Sequence, residues 1–213
     1  MLTVHHLGIS QSDRIVWLCE ELGLTYQLVR HERDPLTRQA PDSYRALHPS
    51  NTAPVIEDGS VTLPETGAIL DYVIAKYGGG EFVVEPDSPH FANYIYWLHF
   101  ANGSFMPAQM MAMAANVLAP GQDNSGTRAF LERADRAFAM VEARLGESPY
   151  FAGPDFTLAD VMMHFPLTTM RLFVPRDISA LPNLRAYLAR VAARPAYIRA
   201  MAKADPGFTP PLA

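Results

Sequence analysis

Two serines follow the first strand-like segment of the chain, where a hydroxyl group could bind an anion or simply cap a helix. Residues 2–7 are the β-forming and apolar types expected of a short strand, and Ser10, Ser12 and Asp13 come soon after it. These residue types favour the start of a helix, because their side-chain oxygens accept backbone N–H groups there. An apolar helical stripe then follows at Ile15, Leu18, Cys19 and Leu22.

A second helix start carries Glu65 and Thr66. It comes after Asp58-Gly59, which lies between two short apolar runs and predicts a hairpin, since both turn positions of such a loop need positive φ. The N–H groups at a helix N-terminus, together with a hydroxyl, suit an anion such as a carboxylate. The alternative is a plain capped helix.

The order of the first elements predicts an α/β domain over residues 1–79. A strand at 2–7, a helix and a second strand at 25–29 imply a parallel βαβ pair. A possible short helix at 42–47 precedes the hairpin and the second helix. The predicted order is therefore βαβαββα.

An all-α domain is predicted over residues 90–213. A linker rich in glycine and proline at 80–89 comes before it, and no strand pattern recurs after that linker. Helical periodicity is present at 90–118 (one long helix, or one broken near Pro107), 127–145, 157–172, 182–193 and 195–203.

The composition excludes several function classes. Of the 213 residues, 18% are charged and 49% are hydrophobic, unlike a disordered chain. Acidic residues (22) outnumber basic ones (17), which argues against a nucleic-acid binder. The N-terminus lacks the features of a signal peptide and no apolar run is long enough to span a membrane, so a cytoplasmic location is predicted.

Cysteine and histidine usage argues against metal and dithiol chemistry. Cys19 is the single cysteine, so the chain has neither an internal disulfide nor a C-x-x-C pair. The histidines show no metal-ligand spacing, and the adjacent His5 and His6 alternate between the two faces of a strand. We therefore predict no metal site, and we interpret Cys19 as a small buried hydrophobe.

One long stretch of the chain has no charge. Residues 90–122 contain no Lys, Arg, Asp or Glu. A long helix without charges lacks a solvated face, which predicts burial on several sides; an ordinary core helix is the alternative.

The chain resembles the glutathione transferase superfamily over essentially its whole length. The string HHLGISQSDRIVWLCEELG places Ser10 four residues before Arg14, a spacing similar to the serine turn of theta- and delta-like members. Residues 63–69 (LPETGAI) resemble the family pattern Glu-Ser-x-Ala-Ile, and Ala53-Pro54 precedes the hairpin as in the family. The Thr157-Leu-Ala-Asp160 motif resembles the capping box of the family's helical domain, which serves folding.

The resemblance implies a thioredoxin-like N-terminal domain, glutathione as co-substrate and Ser10 as the catalytic residue that activates its thiol, with Ser12 as rival. A thiol has a pKa of about 8.5, so a dominant thiolate at neutral pH needs roughly 2.7 kcal/mol. A helix N-terminus contributes about 0.3–1 kcal/mol and one hydroxyl hydrogen bond to an anion about 1.5–3 kcal/mol. Together these suffice without a general base. The alternative is that both serines only cap the helix.

The resemblance also implies the glutathione-binding residues. Thr52, Ala53 and Pro54 would lie against the glutathione backbone, with a cis bond before Pro54. Glu65 would face the α-amino group and Thr66 the γ-glutamyl carboxylate. Thr52 stands where relatives often have lysine, so the contact of that lysine to the glycine carboxylate is not predicted from this position.

The implied function is conjugation of glutathione to apolar electrophiles by a cytoplasmic, detoxifying homodimer without metal. Phe105, Met106 and Met110 of the uncharged stretch are candidates for the second-substrate pocket. No nucleic-acid or membrane partner is expected. The alternatives are a glutathione-dependent isomerase, peroxidase or disulfide reductase on the same fold, and a non-enzymatic glutathione-binding protein.

Overall fold

The computed structural model describes residues 1–118, 120–121 and 124–212, which fall into two compact units. The first joins Met1–Phe82 to Val191–Pro210, and the second contains Val83–Arg190 and the residues from Pro211 onward. The sequence pattern had placed segment 191–210 in the helical domain, so the division differs there. The predicted helical domain also included residues that lie outside the description, namely Ala119, Gln122, Asp123 and Ala213.

A four-stranded mixed sheet forms the centre of the first unit, in the order β2-β1-β3-β4. β1 pairs with β2 in parallel and with β3 in antiparallel, and β3 pairs with β4 in antiparallel. The observed order confirms the predicted βαβαββα domain. Its elements are β1 (Leu2–Leu7), α1 (Asp13–Glu21), β2 (Gln27–His31), α2 (Asp42–Arg45), β3 (Val55–Asp58), β4 (Val61–Pro64) and α3 (Thr66–Tyr77).

The β3–β4 hairpin turns one residue later than the sequence pattern indicates. Asp58 pairs with Val61, so Gly59 and Ser60 form the loop. Gly59 takes the positive φ of +63° that the turn needs. Asp58 is therefore the last residue of β3 and not a turn residue.

Asp58 fixes α3 against the sheet. Its Oδ2 accepts hydrogen bonds from Tyr72 at 3.0 Å, from Lys76 at 2.6 Å and from Tyr77 at 2.5 Å. These donors lie in the second half of α3 and lower the pKa of Asp58 to about 2. These hydrogen bonds fix the second half of α3 to β3. They therefore help to position the N-terminus of α3 relative to the sheet.

Helix α9 (Pro195–Ala204) belongs to the first unit, and ion pairs attach it to α1. Glu21 accepts two hydrogen bonds from Arg194, at 2.6 and 2.8 Å. Glu20 accepts one from Lys203 at 2.6 Å. These pairs join residues far apart in the chain, so helical periodicity alone cannot reveal them.

Helices form the second unit, and its described residues contain no strand. The segment predicted at 157–172 is α-helical only to Leu167 and continues as a 3₁₀ turn over Thr169–Leu172. None of the helices in the described ranges is long and apolar enough to cross a membrane. The α-helices are α4 (Phe91–Phe100), α5 (Met106–Leu118), α6 (Ser125–Glu147), α7 (Leu158–Leu167) and α8 (Pro182–Ala192), the last of which continues past the boundary of the unit.

A π-helical turn at Ala101–Phe105 joins α4 to α5. The N–H of Met106 donates to the carbonyl of Ala101, five residues back. Pro107 follows directly; it has no N–H, and in a regular helix its ring clashes with the carbonyl four residues earlier. The wider turn accommodates the proline. The described part of the uncharged stretch is therefore not one regular helix: it changes to a π turn near Pro107 and then continues as α5.

The predicted capping box at the start of α7 is confirmed. Asp160 accepts the Thr157 N–H at 2.8 Å with one carboxylate oxygen and the Phe151 N–H at 3.0 Å with the other. Asp160 is completely buried. The motif thus joins a helix start to the preceding loop, which is a folding role.

Candidate active site

The candidate site lies at the edge of the sheet where β1 ends and β3 begins. Val55 pairs with His5 of β1 and with Pro64 of β4, so the β1–α1 turn, the segment before β3 and the start of α3 reach the same edge. The peptide bond between Ala53 and Pro54 is cis, as the resemblance implies. Two helix N-termini and a proline turn therefore converge here.

Ser10 lies in the β1–α1 turn with its hydroxyl directed into the protein. Its Oγ donates to the Leu7 carbonyl at 2.6 Å and lies 2.7 Å from Ser12 Oγ. Ser10 is 6% exposed. Ile9 before it has a φ of 50°, a conformation that β-branched residues rarely adopt. The surrounding fold therefore holds this turn in one arrangement.

Ser12 occupies the N-cap position of α1 but makes no side-chain cap. Its φ of −70° and ψ of −13° are helical, whereas a capping residue is usually extended. Its Oγ instead lies 2.9 Å from His6 Nδ1 and accepts the Leu7 N–H at 3.1 Å. Ser12 is fully buried, so only Ser10 of the two candidate serines keeps accessible surface.

Gln11 connects the starts of α1 and α3. Its Oε1 accepts a hydrogen bond from the Thr66 hydroxyl at 3.3 Å and one from the Arg14 guanidinium at 3.0 Å. Burial lowers the pKa of Arg14 to about 10, although the nearby carboxylates of Asp13 and Glu65 oppose this shift. Arg14 is fully buried, which suits it to orient Gln11 and not to bind a ligand itself.

The start of α3 presents an anion-binding surface. Glu65 has a φ of 76° and an exposed side chain, whereas Thr66 is 1% exposed. The first backbone bond of the helix runs from the Ile69 N–H to the Glu65 carbonyl at 2.9 Å, so the N–H groups of residues 66–68 point out of the helix end. Their partial positive charge attracts a carboxylate.

Thr52 and Ala53 complete this edge of the sheet. Thr52 is exposed and its hydroxyl donates to Ser50 Oγ at 3.1 Å. Ala53 is partly buried, and Pro54 is buried. The backbone of this segment leads directly into β3.

A basic pocket of about 160 Å³ adjoins the β1–α1 turn within the first unit. In it, Arg33 donates to the Gly8 carbonyl at 2.8 Å and to the Arg38 carbonyl at 3.0 Å. The sequence pattern gave no sign of this pocket, because residues 30–53 show no regular periodicity. Its charged lining residues are Arg30, Glu32, Arg33, Arg38 and Asp205, and Arg30 donates to Glu32 at 2.6 Å.

The candidates for the second-substrate pocket differ in exposure. Phe105 is fully buried, with its ring 4.9 Å from that of Phe138 and 5.9 Å from that of Phe100. Met106 is partly buried and Met110 is 52% exposed. Phe105 therefore supports the helix from inside, whereas the two methionines keep surface for a ligand or a partner.

Cys19 is buried in α1. Burial, reinforced by the charge of Glu20, raises the pKa of its thiol to about 12. A thiol this far from ionisation is a poor nucleophile at neutral pH. Among the described residues, no group of three or more His, Cys, Asp or Glu side chains could hold a metal ion.

His6 and Asp205 extend the site in a way that sequence reasoning missed. His6 is fully buried, and its Nε2 lies 3.2 Å from Asp205 Oδ2. The other oxygen of Asp205 accepts the Ile9 N–H at 3.0 Å. The alternation of side chains along a strand correctly places His5 and His6 on opposite faces of β1. No local sequence pattern predicts that His6 contacts Asp205, which follows α9.

Comparison with known proteins agrees with this geometry. The model of the glutathione S-transferase N-terminal domain matches residues 5–81, and that of the glutathione S-transferase C-terminal domain matches residues 105–195. Glutathione S-transferase 3 of Schizosaccharomyces pombe is 31% identical over 212 residues, which cover 92% of this chain and 85% of the relative.

Solved structures give the same result. A glutathione S-transferase from Actinobacillus pleuropneumoniae superposes with a TM-score of 0.87 at 31% identity, over 97% of this chain and 95% of the other. A theta class glutathione S-transferase from Xanthomonas axonopodis pv. citri with glutathione bound has a TM-score of 0.70 at 26% identity, over 93% of this chain and 96% of the other. The chain therefore belongs to the glutathione S-transferase family.

Proposed function

We propose that this protein conjugates the thiolate of glutathione to apolar electrophiles. One observation carries the proposal: Ser10 at the start of α1 and Thr66 at the start of α3 meet the cis-Pro54 segment at one edge of the sheet. That edge offers an anion site, a hydroxyl and an exposed backbone. Glutathione carries carboxylates, peptide groups and a thiol that match these features.

The start of α3 binds the γ-glutamyl end of glutathione. Its carboxylate meets the outward N–H groups of residues 66–68. The Thr66 hydroxyl, which donates to Gln11 at 3.3 Å, turns its hydrogen to the carboxylate when glutathione binds. Its α-amino group pairs with the exposed carboxylate of Glu65. The backbone of Ala53 bonds the cysteinyl residue of glutathione.

The glycine end of glutathione requires a cation that Thr52 does not supply. Arg33 and Arg38 in the basic pocket beside the β1–α1 turn are the candidates for this role. Arg33 donates to the backbone carbonyls of Gly8 and Arg38, which hold its guanidinium at the pocket.

Ser10 activates the thiol through a hydrogen bond to the thiolate. Holding thiolate and electrophile together converts a bimolecular reaction into an effectively unimolecular one, which supplies much of the rate. Met106 and Met110 contribute apolar, adaptable surface for the electrophile. A cytoplasmic homodimer with a detoxifying role completes the proposal.

The experiment combines calorimetric titration of glutathione with a turnover panel of apolar electrophiles, peroxides and disulfides. We expect glutathione to bind, and we expect turnover to be faster with apolar electrophiles than with peroxides or disulfides. Turnover confined to peroxides or disulfides would assign a different glutathione chemistry, and binding without any turnover would favour a non-enzymatic binding protein. Absence of binding at millimolar glutathione would contradict every one of these functions.

A further inference from the structure

We propose that Ser10 does not act alone and that a buried chain of Ser12, His6 and Asp205 takes up the proton of the glutathione thiol and keeps it on His6. The inference rests on the proposed function, because it needs a thiol at Ser10. The relay makes His6 a proton acceptor, whereas the sequence analysis predicted that the thiolate forms without a general base. Ser12, His6 and Asp205 are positioning residues that act through Ser10.

The four side chains form a continuous line from the site into the protein. Ser10 Oγ lies 2.7 Å from Ser12 Oγ, and Ser12 Oγ lies 2.9 Å from His6 Nδ1. His6 Nε2 lies 3.2 Å from Asp205 Oδ2. Ser12 and His6 have no exposed surface, so solvent does not interrupt the line.

The charge of Asp205 determines which atoms carry hydrogen before glutathione binds. Burial raises the pKa of Asp205, but the adjacent His6 imidazole, the hydrogen bond from the Ile9 N–H and the charge of Arg30 outweigh it and hold the pKa below its ordinary value. An ionised carboxylate only accepts hydrogen bonds, so His6 carries hydrogen on Nε2. In a neutral imidazole Nδ1 is then an acceptor, and Ser12 donates its hydrogen to it.

This arrangement turns the Ser10 hydrogen away from the ligand. Ser12 Oγ donates to His6 and accepts the Leu7 N–H at 3.1 Å. The Ser10 hydrogen therefore points to Ser12 Oγ or to the Leu7 carbonyl, both of which lie inward. The Ser10 oxygen can accept a proton from a thiol in this state but cannot donate one to a thiolate.

Transfer of one proton along the line reverses each hydrogen bond between the thiol and His6 and leaves the His6–Asp205 contact unchanged. The thiol proton moves to Ser10 Oγ as the S–H bond breaks, the Ser10 proton moves to Ser12 Oγ, and the Ser12 proton moves to His6 Nδ1. The products are a thiolate and an imidazolium, so the total charge is unchanged, and the Asp205 carboxylate stabilises the imidazolium. Ser10 now donates its new hydrogen to the thiolate.

The neighbours of His6 matter for any pH profile of this step. Asp205 faces it from the end of α9, and Arg30 pairs with it across β1 and β2 and donates to the Ala204 carbonyl at 2.9 Å. His31, also on β2, has a pKa lowered by burial and by the charges of His5 and His6. Among these neighbours, Asp205 supplies the carboxylate that approaches the His6 ring.

His5 provides a matched control on the same strand. Its side chain lies on the opposite face, with Nδ1 3.1 Å from His31 Nε2 and Nε2 3.1 Å from Glu57 Oε2. It is 7% exposed, so it matches His6 in residue type, strand and burial, yet it does not contact the serines. His5→Asn should therefore leave kcat within about two-fold of the unmodified protein.

The direct test counts protons released per thiolate formed when glutathione binds the unmodified protein at neutral pH. Calorimetry in buffers of different ionisation enthalpy gives the protons, and the ultraviolet absorbance of the thiolate gives the thiolates. We expect a ratio well below one, because His6 keeps the proton. A ratio of about one means that the proton leaves the protein and would overturn the relay.

Variants test the same inference by kinetics. His6→Asn and Ser12→Ala should each lower kcat about 10- to 100-fold with the KM for glutathione within about two-fold, and release about one proton per remaining thiolate. The double variant should be no slower than the slower single variant. Asp205→Asn should also lower kcat with the KM for glutathione within about two-fold, because the imidazolium loses the carboxylate that stabilises it. Additive losses, or full activity in Asp205→Asn, would contradict the relay.

The outcomes separate this inference from the proposed function. If Ser10→Ala keeps the bound thiolate, the role of Ser10 itself is wrong. If Ser10→Ala loses the thiolate while the unmodified protein releases one proton per thiolate, the function stands and only the relay is wrong. The proton count needs no variant, so it decides the matter even if His6→Asn fails to fold.

Discussion

Ser12 and Thr157 occupy the same position at the start of two helices, and they use their hydroxyl groups differently. Thr157, before α7, is extended (φ −140°, ψ 177°) and forms a capping box with Asp160. Ser12, before α1, is helical (φ −70°, ψ −13°) and bonds His6 and the Leu7 N–H of the preceding strand. The Thr157 hydroxyl thus takes part in capping a helix of the second unit, whereas the Ser12 hydroxyl belongs to a hydrogen-bond network in the first.

The difference separates a folding motif from a site. A side-chain cap contributes about 0.5–2 kcal/mol to stability, and α1 forgoes it. The contacts to α9 stabilise α1 from its other end, through Glu20 and Glu21. A residue of capping type that does not cap is therefore a better sign of function than the residue type alone.

The largest effect is expected at the folding motif. Asp160→Ala should lower the free energy of unfolding by about 3–4 kcal/mol, because the buried N–H groups of Phe151 and Thr157 lose their acceptor. Denaturant unfolding measures this loss. The exposed Asp155→Ala is the control and should change stability by less than about 0.5 kcal/mol. A loss below about 1 kcal/mol for Asp160→Ala would contradict the role of the motif.

The same comparison predicts opposite pH dependences for two carboxylates. Burial raises the pKa of Asp160 to about 6, whereas its hydrogen bonds and the charges around it lower that of Asp205 despite burial. The raised pKa of Asp160 makes its stabilising contribution complete below about pH 4 and lost as the pH rises to 6, a change of about 2–3 kcal/mol. The contribution of Asp205 is present above about pH 4 and lost as the pH falls.

Unfolding across pH 3–8 checks these signs. The stability difference between the unmodified protein and Asp160→Asn should shift in favour of the variant as the pH rises from about 4 to 6. The difference from Asp205→Asn should shift in favour of the variant as the pH falls through about 4. Two curves with the same slope would mean that the carboxylates do not differ in their surroundings as proposed.

Ser10→Ala is expected to have the next largest effect, on catalysis. Loss of one hydroxyl bond to a thiolate removes about 1.5–3 kcal/mol of stabilisation, so kcat should fall about 10- to 150-fold. Glutathione affinity should stay nearly normal, because the cradle at α3 is unchanged. Steady-state kinetics with calorimetry measure both. Full activity in Ser10→Ala combined with inactivity in Ser12→Ala would move the catalytic role to Ser12.

Local patterns were enough to predict much of the fold. Runs of β-forming and apolar residues predicted the strands, and helical periodicity predicted the helices, because both patterns lie within a few consecutive residues. The second strand was predicted at 25–29 and lies at Gln27–His31. Asp58-Gly59 placed the hairpin one residue early, because a dipeptide preference does not set the register of the strands it connects. Pro107 indicated an irregular helix, but a proline alone does not say whether the chain breaks or widens into a π turn.

The parts that local patterns could not predict depend on contacts between distant residues. Arg194 and Glu21 hold α9 against α1, and Asp205, which directly follows α9, lies beside His6. The motif around Ser10 identified the turn correctly. It could not show that Ser12 is buried or that Gln11 bridges to Thr66, since both follow from packing.

Thr66→Val tests the bridge between the two helix starts and should have a smaller effect. It removes a hydroxyl from the carboxylate site and from Gln11, so glutathione should bind about 2- to 12-fold more weakly, or about 0.5–1.5 kcal/mol. At saturating glutathione kcat should stay within about two-fold. Thr62→Val on the exposed part of β4 is the matched control. Unchanged affinity in Thr66→Val would contradict the cradle.

The smallest effect is expected in the uncharged stretch, where side chains act by packing and not by hydrogen bonding. Met110 is 52% exposed on α5, so partial burial against an apolar electrophile contributes less than about 1 kcal/mol. Met110→Gln keeps the length of the side chain and should raise the KM for an apolar electrophile about 2- to 4-fold while the KM for glutathione stays constant. Met140→Gln on α6, 42% exposed, is the matched control. A weaker dimer in sedimentation with unchanged KM would assign Met110 to a subunit interface, and no change in either would show that the missing charges mark only an ordinary helix surface.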